Sequence, residues 1–445
     1  MFLSKVKIAA VLVLVLGFVD FGLGRRAMSA AEPPEGLRPD AANQPVWSVV
    51  WSKTDIQGAD GALAVSPDGK LVAVGKLDGS ILIYDQAAGK ERATLRKGNP
   101  GGRPGPVLPQ GPAGHKGMMM SAIPALGGLT FSPDGKSLAS WGIPEGEVQL
   151  WNVEPPKWRA TLPATMVNSD LLGMRMILPS TVSSAAISPD SKQLATIVMT
   201  NANSSGVEVK LWDLGTAKAF GRIQVAKAVS SGSVAFAPDG KYVAFTSTWL
   251  TGKESNQPPM AKAGDVPEGS SPMAVVVDVA AKKEIWRSPV LPYREGVGHL
   301  LYGADAKSLV LIRRNGTVET WDPTTGKLTT SFAAQATGET KPFSGQTALP
   351  SAISGAGKTL ATADEKGQVR FWDLKTGKLL QSLAAHPGKR LTYLAFAPGD
   401  QVLLTSCLSK SPQAVGVWAA DADVYGGYAC EVKCWHLKGS SSSGK

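Results

Sequence analysis

The sequence predicts an all-β fold: a seven-bladed β-propeller of four-stranded antiparallel blades, closed by an N-terminal strand, 46–53, that joins the last blade. Three observations carry this. One strand–turn–strand unit recurs seven times along the 445 residues, a third strand with its own signature follows each copy, and in five units a fourth follows at constant spacing. The 49 glycines and 31 prolines suit many short strands joined by turns.

The first residues read separately from the rest. Lys5 and Lys7 precede an apolar run over 8–19 that Asp20 ends. That run is short of the ~20 residues a membrane span needs, so 1–26 read as a signal peptide or N-terminal anchor. Gly22 with Gly24, or Ala27 with Ser29, offer small-residue cleavage positions, and 27–44 read as a linker. Next comes "PVWSVVWSK", which alternates like a strand with Trp47, Val49 and Trp51 on one side. A lone strand leaves its backbone donors and acceptors unpaired, so it needs a partner elsewhere.

The repeat begins with "LAVSPDGKLVAVG" and returns as "LTFSPDGKSLASWG", "AAISPDSKQLATIV" and "VAFAPDGKYVAFTS". Worn copies follow as "LLYGADAKSLVLIR", "SAISGAGKTLATAD" and "LAFAPGDQVLLTSC". Proline pre-sets the first turn dihedral, and Asp and Gly tolerate the positions after it. The third strands are "SILIYD", "EVQLWN", "EVKLWD", "MAVVVD", "TVETWD", "QVRFWD" and "EVKCWH". Their blade-packing aromatics are Tyr84, Trp151, Trp212, Trp321, Trp372 and Trp435, with Val277 substituting once. Fourth strands read "ERATL", "WRATL", "GRIQV", "EIWRS", "LTTSF" and "LLQSL". From the aromatic to the apolar residue of the fourth strand is 11 positions in five units, as from Trp151 to Leu162.

The seventh unit has no fourth strand of its own, because "SSSSGK" follows it and 439–445 has the composition of a flexible tail. Placing 46–53 beside 431–437 gives the last blade its outer strand and the orphan its partner. The propeller therefore spans 45–438, with Trp47 or Trp51 covering the last third strand.

The "SPDGK" turn followed by "LWD", recurring through the mature chain, resembles the WD-repeat β-propeller family. That resemblance implies a seven-bladed disc used chiefly to hold other proteins. Two departures are visible. A Gly-His pair survives near His115, with Ala385 before His386, and the turn Asp ahead of the third strand is kept in Asp78 and Asp364 but is mostly absent. The family's Asp–His–Ser/Thr–Trp hydrogen-bonded network is therefore expected to be incomplete in every blade.

In a four-stranded antiparallel blade, turns one-to-two and three-to-four share one end, here the bottom. Connections two-to-three and blade-to-blade share the top. The insertions 96–128, 163–180, 199–206, 247–272, 333–350 and 408–429 all fall at the top, so the top is the expected working face. Candidate contact residues there are the adaptable Met118, Met119 and Met120, and the aromatics Trp249, Trp418, Tyr425 and Tyr428.

Other chemistry is sparse. The formal charge is +10, of which 1–26 supply +3, and the remaining +7 is spread thinly, unlike a nucleic-acid stripe. Cys430 and Cys434 lie about 13 Å apart on one strand, beyond the roughly 7 Å reach of a bridge. The register of the other blades places Cys407 near Cys430, giving a candidate Cys407–Cys430 disulfide. None of His115, His299, His386 and His436 stands at metal-ligand spacing, and no nucleophile elbow or phosphate loop is present. No catalytic, cofactor-binding or metal residue is assigned, and no cofactor.

The expected function is an exported, non-catalytic scaffold, periplasmic, envelope-associated or secreted. It would bind an unidentified protein or peptide, not nucleic acid, and touch a membrane only through an uncleaved leader. The alternatives are a propeller hydrolase or lyase with its site at the channel mouth, or a glycan or cell-surface module using the top aromatics.

Overall fold

Alternating apolar residues and proline-set turns give strands throughout. The computed structural model describes residues 46–438, apart from 58, 77, 227, 314 and the stretches 98–124, 144–145, 172–173, 200–205, 251–269, 290–296, 335–349 and 411–428. The leader, the linker and the tail lie outside the described residues.

The first strand is β1 (Val46–Gln57). Blade one is β2 (Ala59–Val65), β3 (Leu71–Lys76), β4 (Ile81–Asp85) and β5 (Glu91–Leu95). Blade two is β6 (Ala125–Phe131), β7 (Ser137–Ile143), β8 (Val148–Asn152) and β9 (Lys157–Leu162). A two-stranded hairpin, β10 (Met166–Leu171) with β11 (Met174–Pro179), precedes blade three. That blade is β12 (Val182–Ile187), β13 (Gln193–Met199), β14 (Gly206–Asp213) and β15 (Lys218–Ala226). Blade four is β16 (Ala228–Phe236), β17 (Tyr242–Leu250), β18 (Ser270–Asp278) and β19 (Lys283–Arg287). Blade five is β20 (Val297–Tyr302), β21 (Leu309–Arg313), β22 (Thr317–Trp321) and β23 (Leu328–Ala333). Blade six is β24 (Ser351–Ile353), β25 (Thr359–Ala363), β26 (Gln368–Asp373) and β27 (Leu379–Ala384). Blade seven is β28 (Leu391–Phe396), β29 (Val402–Lys410), β30 (Ala429–Lys438) and, on its outer edge, β1.

β1 pairs antiparallel with β30 from Val46↔Lys438 to Gln57↔Ala429, four residues beyond the expected 46–53. The orphan strand thus finds its partner, with one difference. The register slips between Val49 and Trp51, where Val50 is the extra residue of a bulge, and this reverses the side-chain phase. Trp47 and Trp51 therefore face opposite ways rather than sharing a side. Trp47 stacks on Phe371 of blade six with ring centres 5.3 Å apart, whereas the Trp51 indole N–H donates to the Gln86 carbonyl of blade one at 2.5 Å.

Seven apolar cores lie between the seven sheets, each built from facing sides of two neighbours. The core that closes the ring joins Leu63, Val72 and Tyr84 of blade one to Leu404, Cys430, Val432 and Cys434 of blade seven. All six expected blade-packing aromatics are buried, as is Val277. Full burial of one such side chain contributes about 1.5–3 kcal/mol.

Candidate functional site

The two ends of the disc differ. At the bottom, the Ser66 hydroxyl donates to Asp68 Oδ1 at 2.6 Å and accepts the Leu71 N–H at 2.9 Å. The Ser132–Asp134 and Ser188–Asp190 turns repeat the hydroxyl–carboxylate bond at 2.6 Å. The Ser66 bond holds the Asp68 carboxyl below the usual carboxylate range. Turns also tie to one another: the Asp400 carboxylate accepts the Gly355 N–H at 2.5 Å and the Ala356 N–H at 3.0 Å. These aspartates are committed to shaping the turns, so the bottom end is uniform.

At the top, strand lengths diverge. The hairpin β10–β11 is added between blades two and three, β17 and β18 run on to Leu250 and back from Ser270, and β29 reaches Lys410. Strands bordering 98–124, 251–269, 335–349 and 411–428 all end here. Trp249, expected in an inserted loop, instead lies in β17, paired with Ser271 on one side and Ala228 on the other. The insertion shortens because its flanks alternate well enough to lengthen the ladder. Met118, Met119, Met120, Trp418, Tyr425 and Tyr428 lie outside the described residues.

Inner strands are stitched near this end by short polar side chains. Ser184 Oγ accepts the Val234 N–H and Ser233 Oγ accepts the Leu300 N–H, each at 3.2 Å. His299 Nδ1 lies 2.6 Å from Ser351 Oγ. Burial pushes the His299 pKa down to about 4, so this imidazole is neutral at pH 7.

A dense polar constellation sits in blade seven. His386 comes from the connection between β27 and β28, Cys407 from β29 and Glu431 from β30. All three are buried, at 1%, 0% and 7% exposure. His386 Nδ1 is 3.1 Å from Cys407 Sγ and 3.4 Å from Glu431 Oε2, and Sγ is 3.7 Å from the same Oε2. The other ring nitrogen, Nε2, lies 2.8 Å from Thr405 Oγ1, which accepts the Trp435 indole N–H at 3.0 Å. Lys389 approaches Glu431 Oε2 at 2.9 Å and Lys433 approaches Oε1 at 3.2 Å.

Each charge state has a cause. Burial, helped by Lys433, pushes the His386 pKa down to about 4. Burial opposes ionisation of Glu431, but the two lysines override it and hold the carboxyl at about 2. Burial and the Glu431 charge push the Cys407 thiol up to about 11. At pH 7 the group is a neutral imidazole, a thiol and a carboxylate flanked by Lys389 and Lys433.

Residues 59–85 match the model of the family described as WD domain, G-beta repeat. The chain is a seven-bladed β-propeller that carries a WD-repeat match over 59–85. Among solved structures, the β-propeller domain of Cps50 (Swd1) from Myceliophteria thermophila superposes with a TM-score of 0.55 at 13% identity. The match covers 89% of this chain and 99% of that one, and it is a likeness of fold. No curated protein matches the chain. WD-repeat propellers typically serve as protein-interaction scaffolds.

Two expectations fail in this propeller. No Cys407–Cys430 bridge forms, and the three cysteines are thiols. The register sets Cys407 opposite Glu431 and Cys430 opposite Leu408, so the two sulfurs project from opposite faces of the blade. The hydrogen-bonded network is also not broken everywhere, since blade seven runs unbroken from Trp435 through Thr405 and His386 to Glu431. Elsewhere the indole ends on a hydroxyl two residues along the second strand, Ser140, Thr196 or Thr362, each at 2.9 Å. Blade five has Leu311 at that place, and Trp321 turns instead to Glu319 at 2.8 Å. Sequence spacing missed the blade-seven cluster because strand register joins Cys407 to Glu431 and the β27–β28 connection folds His386 onto them, so none is near another along the chain.

Proposed function

We propose that this WD-repeat propeller is an exported, non-catalytic scaffold that holds a protein or peptide at its top end. The observation that carries the reading is the asymmetry of the disc. The bottom turns are constant in length and use their polar groups internally, while every long connection enters and leaves at the top. Length variation confined to one end concentrates recognition there, because loops vary without disturbing the scaffold. Met118, Met119, Met120, Trp418, Tyr425 and Tyr428 belong to those connections, and Trp249 lies near the top end of β17 in blade four. Export rests on the basic, then apolar, then small-residue order of 1–26.

The test is affinity capture from the cell envelope, comparing the full chain with a variant in which 98–124 and 411–428 are replaced by short Gly/Ser linkers. Circular dichroism and thermal melting verify that the variant keeps the disc. Loss of the captured protein on trimming is expected. An unchanged set of captured proteins overturns the reading.

A further inference from the structure

We propose that His386, Cys407 and Glu431 form a zinc site in blade seven, independent of the scaffold reading above. Zinc takes thiolate sulfur at about 2.3 Å and imidazole nitrogen or carboxylate oxygen at about 2.0–2.2 Å, so neighbouring donors of a tetrahedral ion stand about 3.3–3.6 Å apart. The three donor atoms here are separated by 3.1, 3.4 and 3.7 Å. An ion equidistant from them needs shifts of only a few tenths of an ångström in side chains that are already buried and ordered by neighbours. Three protein donors leave the fourth position for a water or an external ligand.

The surroundings match what a metal-bound histidine requires. With Nδ1 on the ion, Nε2 carries the proton and donates to Thr405 Oγ1, 2.8 Å away, an outer contact that fixes the ring. Lys433 stays on Glu431 Oε1, which leaves Oε2 as the ligating oxygen. Lys389, the other amine on Oε2, has a side chain 43% exposed, so it can turn into water as the ion enters. Binding releases the Cys407 thiol proton to solvent, so that a thiolate and a carboxylate bring two negative charges to the divalent ion.

The experiment uses the full chain, freed of metal with a chelator and titrated with Zn²⁺ or, as a spectroscopic probe, Co²⁺. One ion per chain is expected by elemental analysis, and Co²⁺ should give a sulfur-to-metal charge-transfer band. Cys407→Ser should abolish that band, and His386→Gln should weaken Zn²⁺ binding at least roughly tenfold. Both variants are checked by circular dichroism. Should either fail to fold, the wild-type chain decides: Zn²⁺ should slow alkylation of Cys407 in peptide maps while leaving Cys430 and Cys434 unchanged. Absence of stoichiometric zinc in the wild-type chain overturns the proposal. So does uptake that both substitutions leave intact, or a Cys407 alkylation rate indifferent to zinc.

Discussion

Single residues in the bottom turns show where the sequence bends to the fold. The fourth position of the strand-one-to-two turn is left-handed in all blades, filled by glycine in four and by Ser191, Ala306 and Asp400 elsewhere, with φ of 61°, 56° and 59°. A Cβ at such an angle costs about 1–2 kcal/mol, partly offset by glycine's greater freedom in the unfolded chain. Ala306→Gly should therefore stabilise by about 0.5–1 kcal/mol, read as a higher urea midpoint at unchanged slope. His299 sets a pH effect. Its folded pKa of about 4 lies below the ordinary value of 6.5, so the unfolded chain takes the proton first as pH falls. Stability from this group is present above about pH 6.5 and is lost down to about pH 4, by roughly 2–3 kcal/mol. His299→Gln should flatten that part of the stability-against-pH curve; an unchanged slope would refute the assignment. The turn motif was legible because proline and aspartate act locally. The His386 cluster was not, since nothing local to His386 or Cys407 reveals that strand pairing sets Glu431 beside Cys407 and that the β27–β28 connection brings His386 to them.

At the level of the strand, aromatics on outer strands rest on glycines of the next blade. A Cβ on Gly326 would come within 2.4 Å of the Trp286 indole, one on Gly377 within 2.7 Å of Phe332, and one on Gly89 within 2.8 Å of Trp51. Gly326 also has φ of 69°. Gly326→Ala should cost about 2–4 kcal/mol, combining strain with overpacking. Gly79→Ala, at φ of 76° with nothing within 4 Å, should cost only the strain, about 1–2 kcal/mol. Equal losses in thermal melts would show that the indole contact contributes nothing. Strand identity and order were readable from the repeat, because alternation and turn chemistry agree at each copy. The phase of β1 was not: "VWSVVWS" alternates cleanly, and only pairing with β30 reveals the bulge that sends Trp51 toward blade one.

For the whole molecule, the seam between β1 and β30 decides whether a ring exists. Trp47, 7% exposed, joins Phe371, Phe396 and Trp435 in the core between blades six and seven. Trp47→Ala should destabilise by about 3–5 kcal/mol and expose the seam to limited proteolysis before any other blade. First cuts elsewhere would place the weakest joint in another blade. Seven sheets and their closure followed from counting strands, since one surplus at the start matched one deficit at the end. Which end of the disc would recognise a partner was less legible, because no periodic pattern runs through the long connections. The seam has a consequence for synthesis. Ser48 bonds the His436 carbonyl across 388 positions, so the propeller's first strand waits for its last before it can dock. A product cut short of its final strand would display both indoles and a raw sheet edge, the surface that chaperones and proteases seize. Closure of the ring is thus inspected by the molecule's own geometry.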